Sequence, residues 1–266
     1  MHPLRDYQTQ AINNLRKVFA KGFKKALLVA PTGSGKTVIA SSLIQQAIKK
    51  GSKVLFVAHR RELIMQCSRK LYDFGINHGV IMAGKSPSPN YAVQVVSIQT
   101  FNARKNNNDF EWPDADIIIL DEAHRSTSKT FTSLINDYKT SLIIGLTATP
   151  IRSDHQGLGN VYDTLVVASD IKKLTEQNYL VPIRYIAPHV PDVKSLKIVA
   201  GDYEKRGLEK KMNTPQLIGN IVEHWKEYAY DRPTVVFATS INHSKQLAKA
   251  FNNNHVQAGH IDGEMD

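Results

Sequence analysis

Short apolar runs alternate along this chain with segments whose apolar residues recur at helical spacing. The runs at 25–30 (KALLVA), 53–59 (KVLFVAH), 91–97 (YAVQVVS), 116–120 (DIIIL) and 141–147 (SLIIGLT) read as strands. None of them alternates cleanly between polar and apolar, which is how strands look when a sheet is covered on both faces. Between them, KTVIASSLIQQAIKKG (36–51) reads as a helix, with lysines in its last turn and Gly51 suited to the position just past its end. RRELIMQCSRKLYDFG (60–75) reads as the next one. This alternation predicts an α/β fold, a parallel sheet flanked by helices.

GKSPSPN (84–90) and NNND (106–109) punctuate the pattern as loops. The regular pattern lapses after Pro150, where IRSDHQGLGN is a polar, Gly-bearing loop. The division expected from this is a domain over 1–165 and a second unit over 166–266. In the second unit Ser169 is suited to cap a helix over DIKKLTEQN, and a strand follows in PIRYIA (182–187). Thr214-Pro215 has the cap-then-proline signature of a helix start, running to about Ala229. TVVFA (234–238) reads as a strand, SINHSKQLAKAF as a helix, and VQAGHID (256–262) as a last strand. The charged stretch KSLKIVAGDYEKRGLEKK (194–211) receives no assignment.

Hydrophobic residues make up 42% of the 266 positions and charged ones 22%, an ordinary globular balance. A single cysteine, Cys67, excludes an internal disulfide framework and a Cys-rich zinc site. No apolar stretch approaches the roughly 20 residues of a membrane helix, and MHPLRDYQTQ lacks an apolar leader core. These features lead us to expect a cytoplasmic protein with no membrane partner. Residues 1–110 carry 17 Lys/Arg against 4 Asp/Glu, whereas residues 111–266 carry 17 against 20. A basic front half suits a polyanionic partner, and it equally suits a solvated surface, so charge leaves both open.

Chemistry changes that balance. APTGSGKT (30–37) lies between the first strand and the first long helix, the context a phosphate loop requires. Gly33 and Gly35 permit the bend that turns consecutive N–H groups of Thr32, Gly33, Ser34 and Gly35 inward on phosphate oxygens. The helix start adds its partial positive charge. Lys36 is placed to reach the β- and γ-phosphates and the Thr37 hydroxyl to hold Mg²⁺. Ala30 stands where the full pattern has glycine. IIILDEAH (117–124) then sets two carboxylates where a buried strand emerges. Asp121 there can hold Mg²⁺ and Glu122 can orient and deprotonate an attacking water.

APTGSGKT, DEAH and GLTATP (145–150) together resemble motifs I, II and III of superfamily 2 helicases and translocases. LRDYQTQAI (4–12) is similar to the adenine-reading segment ahead of motif I, VAHRREL (57–63) to motif Ia and VSIQTF (96–101) to motif Ib. VVFATSINHSKQL (235–247) resembles motif IV, and HIDGEMD (260–266) the block after it. The entry segment looks more like the RadD-like and type III restriction-helicase branch than like DEAD-box RNA helicases. The resemblance implies a RecA-like first lobe and the start of a second RecA-like lobe, with ATP and Mg²⁺ as cofactors. It implies a monomer acting on nucleic acid, with DNA favoured over RNA.

By the same resemblance Arg5 and Gln8 would hold adenine. His124, Thr147 and Thr149 would couple the ATP site to the nucleic-acid groove. Arg60, Arg61, Ser97, Gln99 and Thr100 would touch the phosphate backbone, which positions a strand without reading its sequence. Trp112 reads as a packing residue. Family members continue past HIDGEMD into motifs V and VI, so this chain is expected to hold one complete lobe and part of another. Two activities follow as expectations: an ATP-driven helicase or translocase, and a nucleotide-responsive binding module with little turnover alone. An RNA helicase is the remaining alternative.

Overall fold

The computed structural model describes residues 3–85, 88, 90–105, 111–150, 157–186, 195–199, 202–263 and 265. NNND, residues 151–156, Ala187 of PIRYIA and parts of the 84–90, 194–211 and 260–266 stretches lie outside them. The chain divides into two compact units, Met1–Pro182 and Ile183–Asp266.

The first unit opens with α1 (Asp6–Ala20), β1 (Lys25–Val29), α2 (Lys36–Ile48), β2 (Val54–Ala58) and α3 (Arg61–Asp73). It continues through β3 (Gly79–Ile81), β4 (Val93–Ser97), α4 (Ile98–Arg104), β5 (Ile117–Leu120), a 3₁₀ turn (Ala123–Arg125) and α5 (Lys129–Asp137). β6 (Leu142–Thr147), β7 (Thr164–Val167) and α6 (Ile171–Glu176) complete it. The seven strands form one sheet in the order β3-β4-β2-β5-β6-β1-β7, with every pairing parallel. This is the RecA-like arrangement expected from the sequence.

Period-2 geometry sorts the strand residues onto two cores. Leu28, Phe56, Val95, Ile119 and Ile144 face one cluster with Ile12, Leu15, Ile44, Ile64 and Leu71 of α1–α3. Their neighbours Leu27, Leu55, Val96, Ile118 and Ile143 face the other, with Phe101, Phe131 and Leu134 of α4 and α5. Both faces are therefore dry, which is why the strands read as unbroken apolar runs. Trp112 packs on Phe101 with ring centroids 4.7 Å apart, in keeping with the packing role read from the sequence. At the sheet's N-terminal edge, Asp163 Oδ2 accepts the Lys24 and Lys25 N–H groups at 3.0 and 2.8 Å. Asp116 Oδ2 accepts the Lys53 N–H at 2.7 Å.

The second unit holds β8 (Ile198–Val199) antiparallel to β9 (Asp202–Tyr203), then α7 (Lys205–Met212), α8 (Pro215–Tyr228) and α9 (Ile241–Asn253). Thr214 caps α8 by accepting the Leu217 N–H, with Pro215 at the first helical position as expected. Trp225 meets Phe251 edge-on at 5.5 Å and 89°, joining α8 to α9.

Three expectations need correction. The division at 165/166 cuts through β7, whose residues 164–167 pair in register with Ala26–Val29 of β1, and the compact unit instead runs to Pro182. The cap of α6 is Asp170, whose carboxylate accepts the Lys173 N–H at 2.8 Å, one residue beyond Ser169. Among the described residues, 182–186, 234–238 and 256–262 join no ladder, with Val235 78%, Phe237 94% and Ile261 87% exposed. Strand propensity marks residues that fit a pleated surface, but a strand also needs a hydrogen-bonded neighbour, and none is present for these runs.

Gly145 in β6 shows how tightly the sheet is covered. A Cβ at that position would overlap the phenol of the buried Tyr162. Gly145→Ala is expected to lower stability by about 1–3 kcal/mol through overpacking. Urea unfolding should show that loss, and should show it reduced when Tyr162→Leu removes the phenol.

Candidate nucleotide and nucleic-acid site

In a parallel sheet every strand ends at the same edge, and that edge gathers the polar motifs. Beyond β1 the ladder runs one step further, with the Ala30 N–H donating to the Thr147 carbonyl at 2.9 Å. Gly33 and Gly35 both adopt φ of 80°, the left-handed region that a side chain disfavours. A Cβ on Gly35 would also lie 2.7 Å from Gln8 Nε2. Between these glycines the Ser34 carbonyl accepts two bonds, from the Tyr7 hydroxyl at 2.5 Å and from Gln8 Nε2 at 3.0 Å. Gln8 Oε1 accepts the Arg5 N–H at 3.0 Å, so both ends of the buried Gln8 amide are engaged. The phosphate loop is thus tied to the start of α1. Thr32 and Gly33 are exposed on the loop, and Lys36 and Thr37 open α2 with half-buried side chains. Lys36 Nζ rests 3.4 Å from the Ala30 carbonyl.

Asp121 follows β5, two strands from β1 in the sheet order, and its N–H bonds the Val57 carbonyl at 2.9 Å. Burial pushes its carboxyl above the usual 3.8, the Glu122 charge adds to that, and the Glu122 N–H (3.0 Å to Oδ1) and the Lys36 ammonium oppose it. The phosphate-loop cation is thus near enough to Asp121 to act on its charge. Glu122 itself sits at φ 51°, ψ 51°, a left-handed conformation uncommon for a residue with a side chain. Such strain gathers at functional sites, held by the structure around it. His124 Nδ1 lies 3.2 Å from Glu122 Oε2, close enough for attraction though misaligned for a hydrogen bond. The fully buried Thr147 hydroxyl donates to the Thr149 carbonyl at 2.7 Å and accepts the Thr149 N–H at 3.1 Å, locking the turn after β6.

The five residues assigned to nucleic acid divide by exposure. Arg60, Arg61 and Gln99 face solvent. Ser97 is buried and caps α4, its Oγ accepting the Thr100 N–H at 3.4 Å and donating to Gln99 Oε1 at 2.9 Å. Thr100, also buried, accepts the Ala83 N–H at 3.1 Å. The Gln99 side-chain amide donates to the His59 carbonyl. A cleft of about 660 Å³ opens here, lined by His59, Gln99, His124, Arg125, Ser128 and Phe131 among others.

Sequence reading passed over His59, Arg125, Tyr7 and Tyr179. His59 keeps both ring nitrogens buried without a hydrogen-bond partner among the described residues. Burial first, then the Arg125 and Arg60 charges, hold its pKa below 6.5, with Glu122 opposing. A histidine between a strand end and two arginines was the available signal. Tyr179 comes from the turn after α6, and the Arg5 guanidinium lies 4.3 Å from its ring centroid. Nothing local in sequence announces that pairing.

Among the described residues no group of three or more His, Cys, Asp or Glu could enclose a metal ion. The oxygen donors that could hold one are the Thr37 hydroxyl and the Asp121 carboxylate. A pair of hard oxygens suits Mg²⁺, which keeps most of its water and shares substrate phosphate. No described helix is long and apolar enough to cross a membrane.

The residue pattern of the family described as "Type III restriction enzyme, res subunit" matches residues 1–152. The chain belongs to this family. The res-subunit match takes in every site residue above except Tyr179. The chain is 29% identical to IRC3 of Saccharomyces cerevisiae over 97% of its own length and 40% of that protein's. It is 29% identical to the "DNA 3'-5' translocase XPB2" of Sulfurisphaera tokodaii over 79% of its length and 44% of that protein's. It therefore spans less than half of either relative. The solved "ATP-dependent Type ISP restriction-modification enzyme LlaBIII bound to DNA" superposes with a TM-score of 0.62 at 18% identity, over 94% of this chain and 21% of that one. That likeness concerns the fold.

The neutral His59 makes a checkable statement about pH. Its folded pKa is lowered, so its contribution to stability is full above 6.5 and is lost as pH falls from 6.5 through the lowered value. The unfolded chain takes the proton there before the folded one does. Melting temperature measured between pH 7.5 and 5 should fall less steeply in His59→Gln than in the parent chain.

Proposed function

We propose that this chain is the ATP-hydrolysing part of a helicase or translocase that acts on DNA. The observation that carries the reading is the meeting, at one sheet edge, of a glycine-bent phosphate loop with a partly desolvated carboxylate pair influenced by its lysine. In this reading Thr32, Gly33, Ser34 and Gly35 cradle phosphates with backbone N–H groups, and Lys36 compensates the β/γ charge. Glu122 orients the attacking water and accepts its proton. Thr37 and Asp121 hold Mg²⁺, which supplies charge compensation on the phosphates. Arg5 and Gln8 face the adenine.

Arg60, Arg61 and Gln99 contact the strand backbone, while Ser97 and Thr100 fix the turn that presents Gln99. His124, Thr147 and Thr149 relay the state of the ATP site to that groove, His124 through its position beside Glu122. The first unit acts as the first RecA-like lobe and the second unit as the start of another. DNA is favoured over RNA because XPB2, among the relatives, is described as a DNA translocase, while the basic charge concentrated in residues 1–110 suits a nucleic acid of either kind. The protein works as a cytoplasmic monomer of the DEAH type.

Steady-state Mg-ATP hydrolysis, alone and with single-stranded DNA, duplex DNA or RNA, tests this. DNA should stimulate turnover, and Lys36→Ala or Glu122→Gln should each lower it by about 10²–10⁴-fold. Turnover surviving both changes would show the assigned site to be wrong. Stimulation by RNA alone would reassign the substrate. ATP binding without stimulation by any nucleic acid would favour the binding-module reading.

A further inference from the structure

The base end of the nucleotide site is built from two segments far apart in sequence. Arg5 and Tyr7 open α1, whereas Tyr179 and Leu180 follow α6, where their N–H groups both bond the Leu174 carbonyl at 2.8 and 3.0 Å. Leu174 is fully buried, so this turn stands on anchored backbone. The Tyr179 ring leans on Tyr7 with centroids 5.6 Å apart and planes at 53°. Tyr7 in turn donates its hydroxyl to Ser34 of the phosphate loop. Leu180 flanks the same loop, its Cδ2 lying 3.0 Å from where a Cβ on Gly33 would stand. Tyr179 is therefore a fixed wall beside the phosphate cradle.

Arg5 is the other face. Its guanidinium lies 4.3 Å from the Tyr179 centroid, a cation–π stack, on a solvent-exposed side chain. It also reaches the Tyr7 hydroxyl at 3.5 Å, the outer limit of a hydrogen bond. Two flat faces that meet beside a phosphate site are suited to the π-face of a nucleobase. Hydrogen bonding has limited reach here, because Gln8 Nε2 already faces the Ser34 carbonyl and, more loosely, the Tyr7 hydroxyl at 3.4 Å, and one lone pair of Oε1 takes the Arg5 N–H. Stacking adds contact that this amide does not supply.

We propose that Arg5 and Tyr179 form the two faces of a clamp that takes the base of the bound nucleoside triphosphate between them. The inference rests on the nucleotide-site reading above and adds Tyr179, which lies beyond the matched residues 1–152, as a residue that fixes base affinity. A base held at about 3.5 Å from each face needs the faces about 7 Å apart. Arg5 supplies that opening by swinging outward while Tyr179 stays in place. The Tyr179 side adds selectivity for a ring over bare phosphate, which the loop by itself cannot provide.

The test is competition binding of ATP and of inorganic tripolyphosphate to the full chain and to Tyr179→Ala, Tyr179→Phe, Arg5→Ala and Lys36→Ala. Tyr179→Ala should weaken ATP by about 10-fold to 100-fold, the usual range for losing one base–aromatic stack, and leave tripolyphosphate unchanged. Tyr179→Phe keeps the ring and should restore ATP binding, which a merely structural role of the hydroxyl would not allow. Arg5→Ala should weaken ATP selectively as well. Equal loss of ATP and tripolyphosphate in Tyr179→Ala, or no loss of either, would overturn the clamp. Lys36→Ala reports on the site separately: it should weaken both ligands, and its failure to do so would count against the phosphate-loop reading whatever Tyr179 does.

Discussion

Parallel pairing forces the chain to leave all seven strands at one edge of the sheet, and the rest of this structure depends on that constraint. Because β1, β6 and β5 are neighbours, the phosphate loop, the Thr147 turn and Asp121 emerge side by side although 110 positions separate Thr37 from Thr147. The Ala30 N–H to Thr147 carbonyl bond at 2.9 Å extends the ladder to the point where the loop departs. The crossovers that make parallel pairing possible are helices, and these cover both faces. The same requirement that buries the strands thus leaves their polar ends with nowhere to go but the rim.

At that rim, charge is held by opposition. Asp121 is desolvated and stands next to a second carboxylate, and both effects favour its protonated form. The Glu122 N–H and the Lys36 ammonium favour the charged form. Lys36 itself rests 3.4 Å from the Ala30 carbonyl, and its charge reaches Asp121 through space. A phosphate entering the loop would add the negative charge that this lysine is placed to meet. Glu122 leaves β5 in a left-handed conformation, and the strain is sustained by the 3₁₀ turn directly after it, whose Arg125 N–H bonds the Glu122 carbonyl at 3.0 Å.

The legible parts of the sequence were those whose signal is local. A phosphate loop depends on glycines within a few residues and on a strand and helix immediately around it. The five long strands depend on burial at both faces, which composition reports directly. β3 and β7 were missed because they are three and four residues long and lie at the sheet edges, GVI and TLVV being too short for a pattern to stand out from the surrounding loops. The runs at 234–238 and 256–262 carry strand composition without a ladder, since composition cannot supply a partner. Of the candidate site, Lys36, Asp121 and Glu122 could be placed at strand and helix ends from their motifs. Tyr179 could not, because its relation to Arg5 exists only after β7 has paired with β1 and α6 has returned the chain beside the loop.

The hydroxyls of Ser97 and Thr100 serve the turn that presents Gln99 in the proposed groove, rather than its surface. Both are buried, and both are spent on the entry to α4 and on the Ala83 N–H. Ser97 also bonds Gln99, and Gln99 bonds the carbonyl of His59, which sits between the Gln99 side of the cleft and the Glu122–His124 pair. A strand of nucleic acid pressing on the exposed Arg60, Arg61 and Gln99 would therefore act on backbone at the end of β2. That backbone also bonds Asp121, through the Val57 carbonyl. If Arg60, Arg61 and Gln99 hold a strand as proposed, its coupling to the proposed ATP site would need no long pathway. Val57 and His59, at one strand end, bond Asp121 on one side and Gln99 on the other.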